Sequence, residues 1–143
     1  MENMGFGNPA DKLVLIVDDD DSVRELIEFV VSKEGFRIEK AIDGEEARNK
    51  ARSLRPDLIL LDLMLPKYGG FEMLRELQCD DTVDIPIVIV TGRYTDRSTS
   101  EMIKQERNVK DFIEKPVKTQ VLCEVLHRLL KTRPLPKKPE AKK

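Results

Sequence analysis

A chain of 143 residues, 40% hydrophobic and 36% charged, has the composition of an ordinary soluble globular protein and the length for one domain with a real core. Its net charge of −2 excludes a strong overall field for nucleic acid, and no apolar run is long enough to cross a bilayer as a helix. Cys79 and Cys123 lie far apart with no C-x-x-C, and His127 is the lone histidine, so neither a disulfide scaffold nor a Cys/His metal cluster is expected.

Residues 1–11 are polar, with Gly5, Gly7 and Pro9, and read as a flexible lead-in. They carry neither a basic n-region nor an apolar h-region, so a cytoplasmic location with reduced thiols is expected. Lys12 to Val17 is aliphatic and β-branched and predicts a first strand, ending in Asp18-Asp19-Asp20-Asp21. Asp21 or Ser22 is suited to cap the next helix, where Val23, Leu26, Ile27, Val30 and Val31 recur at helical spacing. Gly35 stops it as a C′ residue.

Phe36 to Ala41 predicts a shorter strand nearer the sheet edge, and Asp43-Gly44 a turn. Glu45 to Leu54 is weakly amphipathic, with Ala47, Ala51 and Leu54 inward, and Pro56 bars its continuation. Leu58 to Asp62 is the central strand, a continuous apolar run of the kind buried on both faces of a parallel sheet. Gly70 to Gln78 predicts a helix, and Ile85 to Val90 a fourth strand ending in Thr91-Gly92. Thr95 to Glu106 predicts a helix anchored by Met102 and Ile103, and Val109 to Ile113 a fifth strand ending Glu114-Lys115-Pro116. Val117 to Leu130 is strongly amphipathic, with Val121, Leu122, Val125, Leu126 and Leu129 inward. Between Lys131 and Lys143 there are six basic residues and one acid, a net +5, so the preceding body carries −7. Residues 132–143 read as a disordered Pro- and Lys-rich tail, with at most a weak electrostatic contact to nucleic acid or membrane.

Five strands alternating with five helices predict an α/β fold, a doubly wound parallel sheet of the flavodoxin-like type. Strand ends in such a sheet converge on one edge, which would collect Asp18, Asp19, Asp62, Thr91 and Lys115. Clustered carboxylates repel unless a cation sits among them, and oxygen ligands favour a hard ion such as Mg²⁺ or Mn²⁺. Lys115 would contribute a positive charge for a phosphoryl oxygen, Thr91 a hydroxyl, and Asp62 a nucleophile able to form an acyl phosphate. Each residue has a blander reading alone: an N-cap for the acidic turn, a turn at Thr91-Gly92, core packing for Phe112, and a surface or half-buried position for His127.

In order, Leu-Ile-Val-Asp18-Asp19-Asp20, Leu-Leu-Asp62-Leu-Met-Leu-Pro66 with Gly69-Gly70, Ile-Val-Thr91-Gly92 and Phe112-Ile-Glu-Lys115-Pro116 resemble the response-regulator receiver domains of two-component signalling. The resemblance covers about Lys12 to Lys131 and implies a strand order of 2-1-3-4-5. It implies that Asp62 is the phosphoacceptor, Asp19 a direct metal ligand, Asp18 the acid orienting metal-bound water and the Met64 backbone carbonyl a further ligand. Lys115 would pair with the phosphoryl group, Thr91 and Phe112 would form the switch pair, and Lys115-Pro116 would be cis. The implied partners are a sensor histidine kinase or phosphotransfer protein and a downstream protein, reached through the face carrying Glu101, Gln105, Phe112 and Lys118. Such a domain catalyses only its own phosphorylation and dephosphorylation.

Departures from the family pattern occur at Asn108-Val109-Lys110-Asp111, where Asn108 is a residue able to take a left-handed conformation and Lys110 replaces an acid of the family's common dimer. A monomer or weak phosphorylation-dependent dimer is expected. The dozen residues after Lys131 leave no room for an effector domain, which implies a single-domain regulator or a receiver cut from a longer chain. Among the alternatives, an aspartyl-nucleophile phosphatase wants Asp-x-Asp, and Leu63-Met64 does not supply it. A flavin module wants a Ser/Thr/Gly phosphate loop where this chain has four acids, and a P-loop is absent. A degenerate receiver acting as a phosphorylation-independent docking module keeps the fold but leaves the intact acids unexplained.

Overall fold

The computed structural model describes residues 6–63, 70–79, 81–92, 101 and 103–134. Its strands are β1 (Leu13–Val17), β2 (Arg37–Ala41), β3 (Leu58–Leu61), β4 (Ile87–Thr91) and β5 (Val109–Glu114). Between and after them lie α1 (Asp21–Lys33), α2 (Gly44–Leu54), α3 (Gly70–Glu76) and α4 (Thr119–Leu130). All pairings are parallel and the order is β2-β1-β3-β4-β5, as expected. The expected helix from Thr95 to Glu106 falls mostly outside the described residues, though Glu101, Ile103 and Lys104 are helical.

The strand residues alternate between two cores, because successive side chains of a strand point to opposite faces. Leu15, Val17, Ile59, Leu61, Ile87 and Ile89 pack with Ala47 and Ala51 of α2 and Met73 and Leu74 of α3. Val14, Ile16, Leu58, Leu60, Val88 and Val90 pack with Ile27 and Val31 of α1 and Leu122 and Leu126 of α4. Burial on both faces is why β1, β3 and β4 read as unbroken apolar runs. The edge strand β2 shows the mixed pattern of a half-exposed strand.

Several local expectations are corrected. The cap of α1 is Asp20, whose side chain accepts from Val23 N–H, and not Asp21 or Ser22. Leu26, Leu54 and Val121 are exposed, because each lies at the edge of its helix's apolar stripe. Asn108 has no positive φ; it is buried, donates to the Ile85 carbonyl and accepts from Gln78, so a hydrogen-bonded side chain meets the turn's needs. His127 is buried with both ring nitrogens engaged, by Thr132 Oγ1 at 2.7 Å and Glu34 Oε1 at 2.8 Å. Residues 6–11 are not merely a lead-in. Pro9–Asp11 forms a 3-10 turn, and Gly7 N–H donates to the Lys131 carbonyl at 2.7 Å. Residues 1–5 and 135–143, with the rest of the expected tail, lie outside the described residues.

Two measurable consequences arise at this level. The α2 cap joins Asp43, accepting from Glu46 N–H, to Glu46, accepting from Ile42 N–H. The Ile42 N–H bond is the largest effect on the Glu46 carboxyl and, with a lesser contribution from Lys50, holds it below its ordinary value against the opposing effect of burial. A depressed carboxyl contributes stability that is full above the unfolded-state value and is lost as pH falls through the folded one. Glu46→Gln is therefore expected to flatten the acid side of a plot of melting temperature against pH; an unchanged acid limb would count against the cap.

The second concerns the thiols. Burial, followed by the nearby charge and hydrogen bond of Glu34, pushes the Cys123 thiol up to about 11. About one Cys123 in a thousand is then ionised at pH 8, and alkylation needs the thiolate. Iodoacetamide is expected to label exposed Cys79 at least about tenfold faster than Cys123, read by peptide mass mapping. Equal rates would contradict it.

Candidate functional site

The C-terminal edge of the sheet brings the predicted residues together, and the strand ladders place them. Asp18 N–H donates to the Ala41 carbonyl of β2 at 3.1 Å. Asp62 N–H donates to the Val17 carbonyl of β1 at 3.0 Å, and Lys115 N–H to the Thr91 carbonyl of β4 at 2.8 Å. Each of these residues thus closes a rung with the neighbouring strand, so its backbone is held by the sheet. The Lys115-Pro116 peptide is cis, as the resemblance implies.

Asp18 is 1% exposed and Asp62 4%, whereas Asp19 is exposed. Among the described residues, Asp18, Asp19 and Asp62 each offer a carboxylate oxygen within 4.8 Å of the others. Lys115 lies between the two buried acids, with Nζ 3.0 Å from Asp18 Oδ2 and 3.3 Å from Asp62 Oδ2. Only the Asp62 contact has hydrogen-bond geometry; Asp18 Oδ2 is buried with no hydrogen-bond partner. Asp18 Oδ1 accepts from Asp20 N–H at 2.9 Å.

Burial raises the Asp18 carboxyl above its ordinary value, and Asp62 adds to this, outweighing the Asp20 N–H bond and Lys115. Burial alone would lower Lys115, but Asp18 and Asp62 hold it above the usual lysine value. Among the described residues, three acids thus gather around one ammonium. A buried carboxylate oxygen without a hydrogen bond, in a set of three acids that supply only oxygen, fits a small hard cation.

Thr91 ends β4, is 5% exposed and pairs across the sheet with Glu114. Phe112 sits two residues deeper, beside Ile89, half-buried against the α2–α3 core, with Lys104 Nζ 5.3 Å from its ring centroid. A groove of about 370 Å³ runs along β5 from Phe112 past Lys115 to Lys118 and Val121. Met64, and with it the expected carbonyl ligand, lies outside the described residues.

One residue of this edge is missing from the sequence reading. Arg24, in the first turn of α1, donates through Nη1 to the Asp18 carbonyl at 2.9 Å and through Nη2 to Asp21 Oδ1. The available signal was an arginine three residues after an acid at a helix start, a common surface pairing that gives no hint of the Asp18 carbonyl.

The model of the response regulator receiver domain family matches residues 14–127. The transcriptional regulatory protein AfsQ1 of Streptomyces coelicolor is 36% identical over 109 residues, 76% of this chain and 47% of that protein. The DNA-binding response regulator MtrA of Mycolicibacterium smegmatis is 40% identical, over 76% of this chain and 46% of its own length. The chain thus spans about half the length of these curated relatives. Among solved structures, the receiver domain of NtrX from Brucella abortus superposes with a TM-score of 0.75 at 30% identity, covering 84% of this chain and 99% of that one. A CheY-like response regulator receiver domain protein from Methanospirillum hungatei gives 0.76 at 28% identity, covering 83% and 93%.

Proposed function

Because the chain belongs to the response regulator receiver domain family, we propose that Asp62 is its phosphoacceptor and that the acids of the same edge hold Mg²⁺ or Mn²⁺. The observation that carries this reading is Asp62 at the end of β3, buried, within reach of Asp18 and Asp19 and hydrogen-bonded by Lys115 Nζ at 3.3 Å. A carboxylate so placed has restricted freedom and a cation beside it, the conditions under which an aspartate acts as a nucleophile towards phosphorus.

An Asp62 carboxylate oxygen attacks the phosphorus of the donor. As the new O–P bond forms, the bond to the donor's leaving group breaks, and that group departs with the electron pair. Lys115 Nζ lies beside the attacking oxygen and neutralises charge on the phosphoryl oxygens. Thr91 offers its hydroxyl to the same group. Asp19 would ligate the metal directly, Asp18 would orient its water, and the Met64 carbonyl would complete the protein ligands. When bound, the ion supplies positive charge against the three acids and the transferred group.

The donor is a sensor histidine kinase or phosphotransfer protein, and the reaction takes place in the cytoplasm. The described residues include no helix long and apolar enough to cross a membrane. Phosphorylation shifts the population of a face built from Glu101, Gln105, Phe112 and Lys118, with Thr91 and Phe112 as the coupled pair, and that face controls a downstream protein. AfsQ1 and MtrA are named as transcriptional and DNA-binding regulators. For this chain the output is proposed at the level of a protein contact, in a monomer or a weak phosphorylation-dependent dimer. Lys110, which replaces the dimer's acid, is exposed.

The test is incubation with Mg²⁺ and a small-molecule phosphodonor. One hydroxylamine-labile phosphoryl group is expected by intact mass, absent when the metal is chelated. An unchanged mass with metal and donor present would falsify the reading.

A further inference from the structure

We propose that Arg24 is a positioning residue for the metal site: it sets the Asp18-Asp19 turn in the geometry that accepts the ion. The inference rests on the metal-dependent reading above. Its observation is separate, a guanidinium whose fork spans the acidic turn and ties it to α1.

Arg24 stands where a cation is ordinarily unfavourable. The first turn of a helix carries the positive end of the macrodipole. Its side chain is also only 14% exposed, and burying a guanidinium is costly unless it is paired. Both costs are offset by two specific acceptors, the Asp18 main-chain carbonyl at 2.9 Å and Asp21 Oδ1. Asp21 is 82% exposed, so that contact alone would place Arg24 in solvent like many surface pairs. The buried acceptor is the Asp18 carbonyl, and this contact draws the arginine inward.

That carbonyl belongs to the peptide joining Asp18 to Asp19. Gripping it limits rotation of the peptide and hence the directions in which both carboxylates leave the backbone. The rest of the turn is fixed from the same helix. Asp20 caps α1 by accepting from Val23 N–H at 3.1 Å, and Arg24 N–H donates to the Asp20 carbonyl at 2.9 Å. Asp20 N–H in turn donates to Asp18 Oδ1 at 2.9 Å. The side-chain fork closes this set of bonds at the Asp18 end. Arginine suits the task because its planar guanidinium presents two donors in fixed relative orientation, which a lysine ammonium does not.

A positioning role and a purely electrostatic role predict opposite signs. Removing a positive charge near three acids strengthens cation binding through charge alone. Loosening the turn weakens it, and loss of groups that orient metal ligands typically reduces affinity about 10- to 100-fold. The experiment is calorimetric titration of Mg²⁺ into metal-free full-length wild type, Arg24→Met and Arg24→Lys. Thermal unfolding in chelator shows whether each variant is folded.

Arg24→Met is expected to bind Mg²⁺ about tenfold more weakly. Arg24→Lys, which keeps the charge and one donor, is expected to fall between it and wild type, and it serves alone if the Met variant does not fold. Affinity that is unchanged or increased in Arg24→Met overturns the proposal. So does wild-type affinity in Arg24→Lys if that variant is the one tested. A wild type that takes up no Mg²⁺ removes the underlying reading and this inference with it, a result distinct from the variant-specific ones.

Discussion

Asp62→Asn is expected to abolish phosphoryl incorporation from a small-molecule donor while leaving the fold intact. The amide has the size of the carboxylate and can still accept from Lys115 Nζ, which lies 3.3 Å from Asp62 Oδ2. It has no anionic oxygen to attack phosphorus, and Asp18 and Asp19 face the ion rather than replace the nucleophile in this reading. The buried edge also loses one of its negative charges, and Asp62 is among the groups that raise Asp18. The melting temperature of the metal-free variant is therefore expected to equal or exceed that of wild type. Intact-mass analysis after donor treatment, with thermal unfolding in chelator, checks both parts. Persistent labelling of Asp62→Asn would move the acceptor to another residue.

Lys115→Met is expected to give the largest loss of stability among site variants, and the loss should depend on the metal. Among the described residues, Lys115 is the ammonium that contacts both buried acids, with side-chain exposures of 2% for Asp18 and 5% for Asp62. Breaking a fully buried ion pair by removing one partner costs about 3–5 kcal/mol. Lys115 is itself 23% exposed, and solvent screens part of the interaction. A loss of about 2 kcal/mol in chelator follows, read as a shift of the urea midpoint. Methionine keeps the apolar stem but supplies no charge. Mg²⁺ should restore most of the difference by compensating the same carboxylates, while phosphorylation at saturating Mg²⁺ stays slow for want of the ammonium. Equal midpoints for variant and wild type in chelator would show that Lys115 does not hold the acids.

The two variants separate the parts of one arrangement. Asp62→Asn removes a charge and the reactive oxygen together, and stability is retained or gained. Lys115→Met removes the compensating charge, and stability falls until a cation takes its place. A site built only for stability would lose in both cases. A cluster of acids kept together at some cost in stability is suited to hold a cation.

The strands, their order of appearance and the residues that end them can be read from residue patterns alone. Leu13–Val17, Leu58–Leu61 and Ile87–Thr91 are buried on both faces, which makes them continuous apolar runs whose ends are visible where polar residues begin. Asp18, Asp19, Asp62 and Thr91 were legible for that reason, Lys115 through the Phe112-Ile-Glu-Lys115-Pro116 match at the end of the half-exposed β5, and the receiver resemblance implied the strand order in advance. Helix edges were less legible. Leu26, Leu54 and Val121 are apolar yet exposed, because periodicity gives the direction of a helix's inner face but not its width.

Which polar groups meet is set by the folded chain. His127 is buried because Glu34, 93 positions away, and Thr132 engage its two nitrogens. Lys115 contacts Asp18 and Asp62 because β1, β3 and β5 end on one edge of the sheet. Arg24 turns inward to a main-chain carbonyl, an acceptor every residue carries and no sequence pattern marks. Hydrophobic periodicity records burial one residue at a time, whereas a hydrogen bond or an ion pair depends on the distance between two residues that the fold alone brings together.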